Sequence, residues 1–265
     1  MFKTRLISGI VLVIVLIATV GIGGPLLYGV LLAASLIGLT ELYKVVKVQG
    51  QALGFVGYLS AIGYYVLLYL NRMEYAVPLF ILLLMLVMAV YVFAYPKFHA
   101  EQVTTVFFGV FYVAVMLSFV YQTRGLPEGG VMVWLIFLSS WGCDTCAYCV
   151  GVLFGKHKMA PVLSPKKSVE GGIGGIIGAA LLGAVFAAAM SRFAGVSVSP
   201  WLCAAICGVG GAISQIGDLC ASAIKRNHEI KDYGKLIPGH GGILDRFDSV
   251  IFTAPIIYYL TVYFV

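Results

Sequence analysis

The chain has 265 residues, 61% of them hydrophobic and only 11% charged, with a mean hydropathy of +1.02 and a net charge of +6. An average soluble domain carries about 25% charged residues, and a globule of this size has too little interior to hide so much apolar surface. A single water-soluble core is excluded. Disordered, collagen-like and coiled-coil chains are excluded too, since each needs far more polar or repetitive sequence. The composition defines a polytopic integral membrane protein.

A membrane crossing needs roughly 20 apolar residues. The opening MFKTRLISGIVLVIVLIATV joins charge to an apolar run as a signal peptide does, but no clean small-residue cleavage site follows. It therefore reads as an uncleaved first span. Counting it, nine runs of suitable length occur in chain order, at 6–23, 25–41, 53–71, 75–94, 103–121, 131–154, 173–191, 200–221 and 249–265. Only Gly21 to Pro25 separates the first two. The runs are continuous rather than alternating, so a β-barrel is excluded. The expected fold is an all-α bundle of about nine transmembrane helices.

With nine spans, fourteen of the 17 basic residues fall on the side of the N-terminus, and only Arg72, Arg124 and Arg192 on the other. That bias places the N-terminus in the cytoplasm. The two halves differ in chemistry. Residues 1–130, with the first five spans, carry Glu41, Glu74, Glu101 and Glu128, all assigned to short loops. They read as a lipid-facing scaffold. Residues 131–265 hold the last four spans, two basic cytoplasmic loops and every aspartate. The catalytic part is expected there.

Asp144 in WGCDTCAY lies within the sixth span, where a carboxylate is costly unless it meets a cation, a partner or a polar cavity. Asp218 lies near the cytoplasmic end of the eighth span. Ser222, Lys225 and Arg226 follow it at helical spacing, placing an acid, a hydroxyl and two cations on one face. Asp245 and Asp248 are i, i+3 at the start of the ninth span and point the same way. Acids at a helix N-terminus complement its dipole, which accounts for one aspartate better than for two. Hard oxygen ligands of this kind suit Mg²⁺.

The loops supply the opposite sign: Lys156, Lys158, Lys166 and Lys167 in the first, Lys225, Arg226, Lys231, Lys235 and Arg246 in the second. Basic cytoplasmic loops also set topology and attract anionic lipid. The second loop adds Pro238, Gly239, His240, Gly241 and Gly242 directly ahead of the aspartate pair. A glycine-rich turn opening a helix can aim N–H groups at phosphate. Cations, amides and carboxylate-held metal together suit polyphosphate chemistry. GGIGGIIG (171–178) has small-xxx-small spacing, which predicts close helix packing. The six cysteines sit in or beside apolar runs and read as small apolar filler rather than a metal or disulfide framework.

The stretch from Ser222 to Asp248, SAIKRNHEIKDYGKLIPGHGGILDRFD, resembles the signature of the CDP-diacylglycerol synthases (phosphatidate cytidylyltransferases). DTCAY, SPKKSVEGG and QIGD are also similar to segments of that family. The resemblance implies transfer of the cytidylyl group of CTP to phosphatidate, giving CDP-diacylglycerol and pyrophosphate, with Mg²⁺ as cofactor and a second adjacent cation as a further expectation. It implies a bilayer enzyme of phospholipid synthesis in a bacterial inner membrane, with its site facing the cytoplasm. No nucleic-acid partner is expected, and a homodimer is allowed. Asp144, Asp218, Asp245 and Asp248 are the expected metal ligands. Lys156, Ser164, Lys166, Lys167, Lys225, Arg226 and Arg246 are expected to bind CTP or lipid phosphate, and Ser222 and His240 to orient it. A polyprenol kinase, an archaeal-lipid cytidylyltransferase and a cation-coupled transporter are the alternatives.

Overall fold

The computed structural model describes residues 2–196, 198–239 and 241–265, with side chains from residue 8 onward. His240 therefore lies outside the described residues. The described chain forms nine helices: α1 Phe2–Ile22, α2 Gly24–Val45, α3 Ala52–Tyr69, α4 Ala76–Phe93, α5 Ala100–Arg124, α6 Gly129–Phe154, α7 Val169–Ala194, α8 Pro200–Asn227 and α9 Leu244–Phe264. They coincide with the nine apolar runs. Eight are long and apolar enough to cross a membrane, and the described apolar part of α1, Ser8–Ile22, is shorter. The protein is an all-α polytopic membrane protein.

Two elements were not legible as apolar runs. The first basic loop contains an antiparallel hairpin, β1 Lys158–Ala160 with β2 Ser164–Ser168, in register Lys158↔Ser168 and Ala160↔Ser164. Helices α5 and α6 each contain a π-type turn, Val110–Val115 and Leu138–Gly142. Such turns insert a residue into the helix and often mark functional sites. The second ends directly before Cys143 and Asp144.

By compactness the chain falls into two units, residues 1–118 with 232–245, and residues 119–231 with 246–265. The division expected at residue 130 follows where ionisable groups lie in the sequence. Compactness instead assigns the glycine-rich segment 232–245 to the first unit.

In the first unit α2, α3 and α5 close around Tyr43, which is fully buried and donates its hydroxyl to the Val106 carbonyl at 2.9 Å. Gly57 and Gly109 make that possible, since a Cβ at either would press into the Tyr43 ring. Ser35 and Tyr65 (2.8 Å) and Tyr64 and Ser118 (3.1 Å) satisfy one another's buried hydroxyls, as polar groups in an apolar bundle must.

In the second unit α7 packs between α6 and α8 along a seam of small residues. A Cβ at Gly175 would lie 2.9 Å from Ala147 Cβ and Cys143 Sγ, and one at Gly178 would lie 2.5 Å from Cys146 Cβ. Without side chains at these positions the backbones approach closely, which is what holds helices together where lipid removes the hydrophobic drive. Cys143 and Cys146 fill this seam as small side chains. Helix ends follow ordinary rules: Ser168 caps α7 by accepting from Gly171 N at 3.1 Å, and Gly195 ends it at φ 68°. Ser199 caps α8, with Pro200 in its first turn.

Candidate functional site

The second unit gathers three carboxylates from three helices: Asp144 on α6, Asp218 on α8 and Asp248 on α9. Lys167, from β2, places its ammonium 2.5 Å from Asp218 Oδ2. Both side chains keep about a quarter of their surface exposed, 25% and 26%. Ser222, one turn on from Asp218, donates to Asp218 Oδ1 at 3.5 Å. Asp144 interacts with Asp218, Lys167, the Ser249 side chain and Arg246. Asp248 is 8% exposed and interacts with Asp218, Lys225 and Asp144, and its Oδ1 accepts from Ser249 N at 2.8 Å. Three acids therefore lie among Lys167, Lys225 and Arg246. A buried charge of one sign is expensive unless paired, and here the chain supplies its own counter-charges.

Packing fixes this cluster. Gln215, on α8 one turn ahead of Asp218, donates to the Gly172 carbonyl at 2.9 Å, close behind the β2 strand that carries Lys167. Trp141 donates Nε1 to the Arg246 carbonyl at 3.2 Å and lays its ring against Phe247. That ties the π-type turn ahead of Asp144 to the start of α9. Glu170 closes the base of the hairpin, accepting from Lys156 N at 3.0 Å and pairing with His157 Nδ1 at 2.6 Å. His157 is thus held beside the base of the hairpin.

The other expected site residues are placed differently. Lys156 and Lys166 are exposed, and Ser164 is half-buried at the start of β2. Arg226 is exposed and donates to the Ile230 carbonyl at 3.4 Å. Asp245 belongs to the first unit. It is 6% exposed, and its Oδ2 accepts from Tyr233 N at 2.8 Å and Gly242 N at 3.0 Å. Asp245 and Asp248 stand three apart on α9, yet their partners are different.

Glu41 was assigned to a short loop; it lies inside α2 and is only 7% exposed. Its carboxylate accepts from Ile243 N at 3.0 Å and Leu244 N at 2.8 Å. The N–H groups of Gly242, Ile243 and Leu244, where the glycine-rich turn opens α9, are thus occupied by the chain's own carboxylates. The available signal was a lone acid near the end of an otherwise apolar run.

Among the described residues no group of three or more His, Cys, Asp or Glu side chains is drawn together closely enough to hold a metal ion. The oxygen donors of Asp144, Asp218 and Asp248 are nevertheless of the hard kind that Mg²⁺ takes, and Lys167 occupies one of them with positive charge. Arg246 Nε is buried without a hydrogen-bond partner among the described residues, a donor suited to an anion. Hard acid oxygens beside buried cationic donors are, by their chemistry, a donor set suited to a phosphate-bearing ligand and its counter-ion.

The chain is thus a membrane-spanning helical bundle whose second unit gathers acids and cations in one place. The model of the cytidylyltransferase family matches residues 3–264. A phosphatidate cytidylyltransferase of Staphylococcus saprophyticus is 31% identical over 262 residues, covering 96% of this chain and 97% of that protein. Proteins of the same name from Staphylococcus aureus and Staphylococcus epidermidis are 32% identical over 260 residues, with 96% and 97% covered. The chain belongs to the cytidylyltransferase family.

Proposed function

We propose that this chain transfers the cytidylyl group of CTP to phosphatidate, releasing pyrophosphate and leaving CDP-diacylglycerol in the bilayer, with the site open to the cytoplasm of a bacterial inner membrane. The observation that carries this reading is the cluster of Asp144, Asp218 and Asp248 among Lys167, Lys225 and Arg246, in a chain of this family. Phosphatidate is a phosphomonoester with a second pKa near 6, so it is mostly a dianion at pH 7. One of its oxygens attacks the α-phosphorus of CTP, the bond to the bridging oxygen breaks, and the electron pair leaves on pyrophosphate. No proton has to be removed from the nucleophile, so a catalytic base is unnecessary.

What remains is charge neutralisation and in-line placement. Arg246 and Lys225 are the cations assigned here to phosphate oxygens. Lys167 is expected to move from Asp218 to phosphate as the nucleotide arrives. Asp144, Asp218 and Asp248 would hold Mg²⁺, which neutralises polyphosphate charge and orients the leaving group. Asp245 is left outside that set because its Oδ2 already holds two backbone N–H groups. With three cations beside three acids, charge balance no longer demands a second metal.

Incubation of labelled CTP, phosphatidate and Mg²⁺ with the purified protein in detergent should yield CDP-diacylglycerol and pyrophosphate one for one. Release of CDP instead would mean γ-phosphoryl transfer and would overturn the reading. Orientation is tested separately. In a background without native cysteines, labels at Lys166 and Lys235 should react only from the cytoplasm, and a label at Arg124 only from outside. Reaction of Lys166 and Lys235 from opposite faces would defeat both the topology and the cytoplasmic site.

A further inference from the structure

The first unit contains a buried carboxylate that the proposed mechanism does not use. Glu41 is only 7% exposed, and both of its oxygens are engaged: Oε1 accepts from Ile243 N at 3.0 Å and Oε2 from Leu244 N at 2.8 Å. These two N–H groups open α9, the helix whose next turn carries Arg246 and Asp248. A helix N-terminus leaves its first N–H groups without intrahelical partners, and a side chain usually supplies the cap from within the same turn. Here the cap comes from a residue 203 positions away.

Two glycines are shaped to it. A Cβ on Gly234 or on Gly242 would overlap the Glu41 carboxylate. Asp245 completes the arrangement by accepting from Tyr233 N and Gly242 N, and Gly241, at φ +85°, closes against the Asp245 carboxyl. Two buried carboxylates thus hold four backbone N–H groups of one short glycine-rich segment. Gly234 and Gly242 thus reflect close approach of the Glu41 carboxylate, and Gly241 its positive φ as well.

We propose that Glu41 is a positioning residue for cytidylyl transfer: by clamping the N–H groups of Ile243 and Leu244 it sets where α9 begins, and hence where Arg246 and Asp248 stand. This rests on the function proposed above. Both Glu41 oxygens are taken by backbone N–H groups, so its loss should impair alignment more than binding. A misplacement of about 1 Å can cost roughly 100-fold in rate. In Glu41→Gln one oxygen becomes an NH₂ that faces an N–H, so half of the clamp turns repulsive at nearly constant size.

The test combines kinetics per folded molecule with amide exchange. Glu41→Gln should lower kcat by about 10- to 100-fold while the KM for CTP changes by less than about threefold. Amide exchange of the peptide spanning residues 237–245 should speed up by about tenfold or more. Gly242→Ala, with Glu41 intact, should give the same split between kcat and KM. In a Glu41→Ala background the same Gly242→Ala change should add less than about twofold, because the space is already free. Should Glu41→Gln fail to insert, Gly242→Ala and its exchange rate still decide.

A Glu41→Gln enzyme within twofold of the parent kcat, with unchanged exchange, overturns the proposal. So does a Gly242→Ala cost that is equal with and without Glu41. Absence of CDP-diacylglycerol synthesis by the unaltered protein would count against the cytidylyltransferase reading instead. In that case the exchange rates of the Glu41→Gln and Gly242→Ala proteins still judge the clamp, and unchanged exchange in both would end it.

Discussion

Asp248→Asn is expected to lower CDP-diacylglycerol formation by about 10²- to 10³-fold, the scale lost when one preorganised electrostatic group is removed from an active site. The protein should remain folded. Asp248 is 8% exposed, lies near Asp144 and Asp218, and uses Oδ1 to accept from Ser249 N. An asparagine keeps the size and can still accept that N–H. Removing one of three clustered negative charges also relieves repulsion, so the thermal midpoint should hold or rise. Lost activity with retained stability is the pattern of a residue kept for its charge rather than for folding. Asp218→Asn should behave differently, because it strands Lys167, and here both activity and stability should fall. Turnover per folded molecule, read beside a thermal scan in detergent, separates the two. Near-normal turnover in Asp248→Asn would reduce this acid to a helix-end charge complementing the α9 dipole.

Lys167→Met is expected to cost about 100-fold in kcat/KM for CTP, with most of the loss in KM if the ammonium binds nucleotide phosphate. The reasoning starts from its position. Lys167 and Asp218 meet at 2.5 Å while each stays about one-quarter exposed. The Lys167 ammonium itself is buried, and a buried ion pair adds little net stability over an apolar pair although stranding one partner is costly, so the contact by itself does not explain why a lysine stands there. An ammonium that can leave its carboxylate for an arriving phosphate does explain it. Lys167→Arg should keep part of the affinity, because the charge remains on a longer and planar group. The double substitution Lys167→Met with Asp218→Asn is the sharper measurement. If the lysine served only to neutralise the aspartate, removing both would restore turnover. The expected result is a double variant no better than either single one.

Hydropathy along the chain settled the architecture. A chain with 61% hydrophobic residues can satisfy its backbone in a bilayer only as helices or a closed barrel, and continuous apolar runs choose helices. All nine runs became α1 to α9, because hydropathy is a local property that lipid reads residue by residue. The close packing of α7 was equally legible, since Gly171, Gly174, Gly175 and Gly178 recur at helical spacing and face α6 or its neighbouring turn in the structure. The aspartates were also visible, because a carboxylate in or beside an apolar run is conspicuous.

Partnership was not visible. Spacing places Asp245 and Asp248 on one helical face, but spacing cannot say what lies opposite each of them. Asp248 interacts with acids and a cation from α6 and α8, whereas Asp245 Oδ2 accepts from Tyr233 N and Gly242 N. Nor could Glu41 be matched to Ile243 and Leu244 across about 200 residues, since nothing local requires a cap to come from so far away. The glycine-rich segment suggests phosphate to a reader of sequence because free amides at a helix start attract anions. In the fold those amides already have carboxylates, and only the tertiary structure could decide that, because a hydrogen-bond donor is satisfied by whichever acceptor the packing brings within about 3 Å.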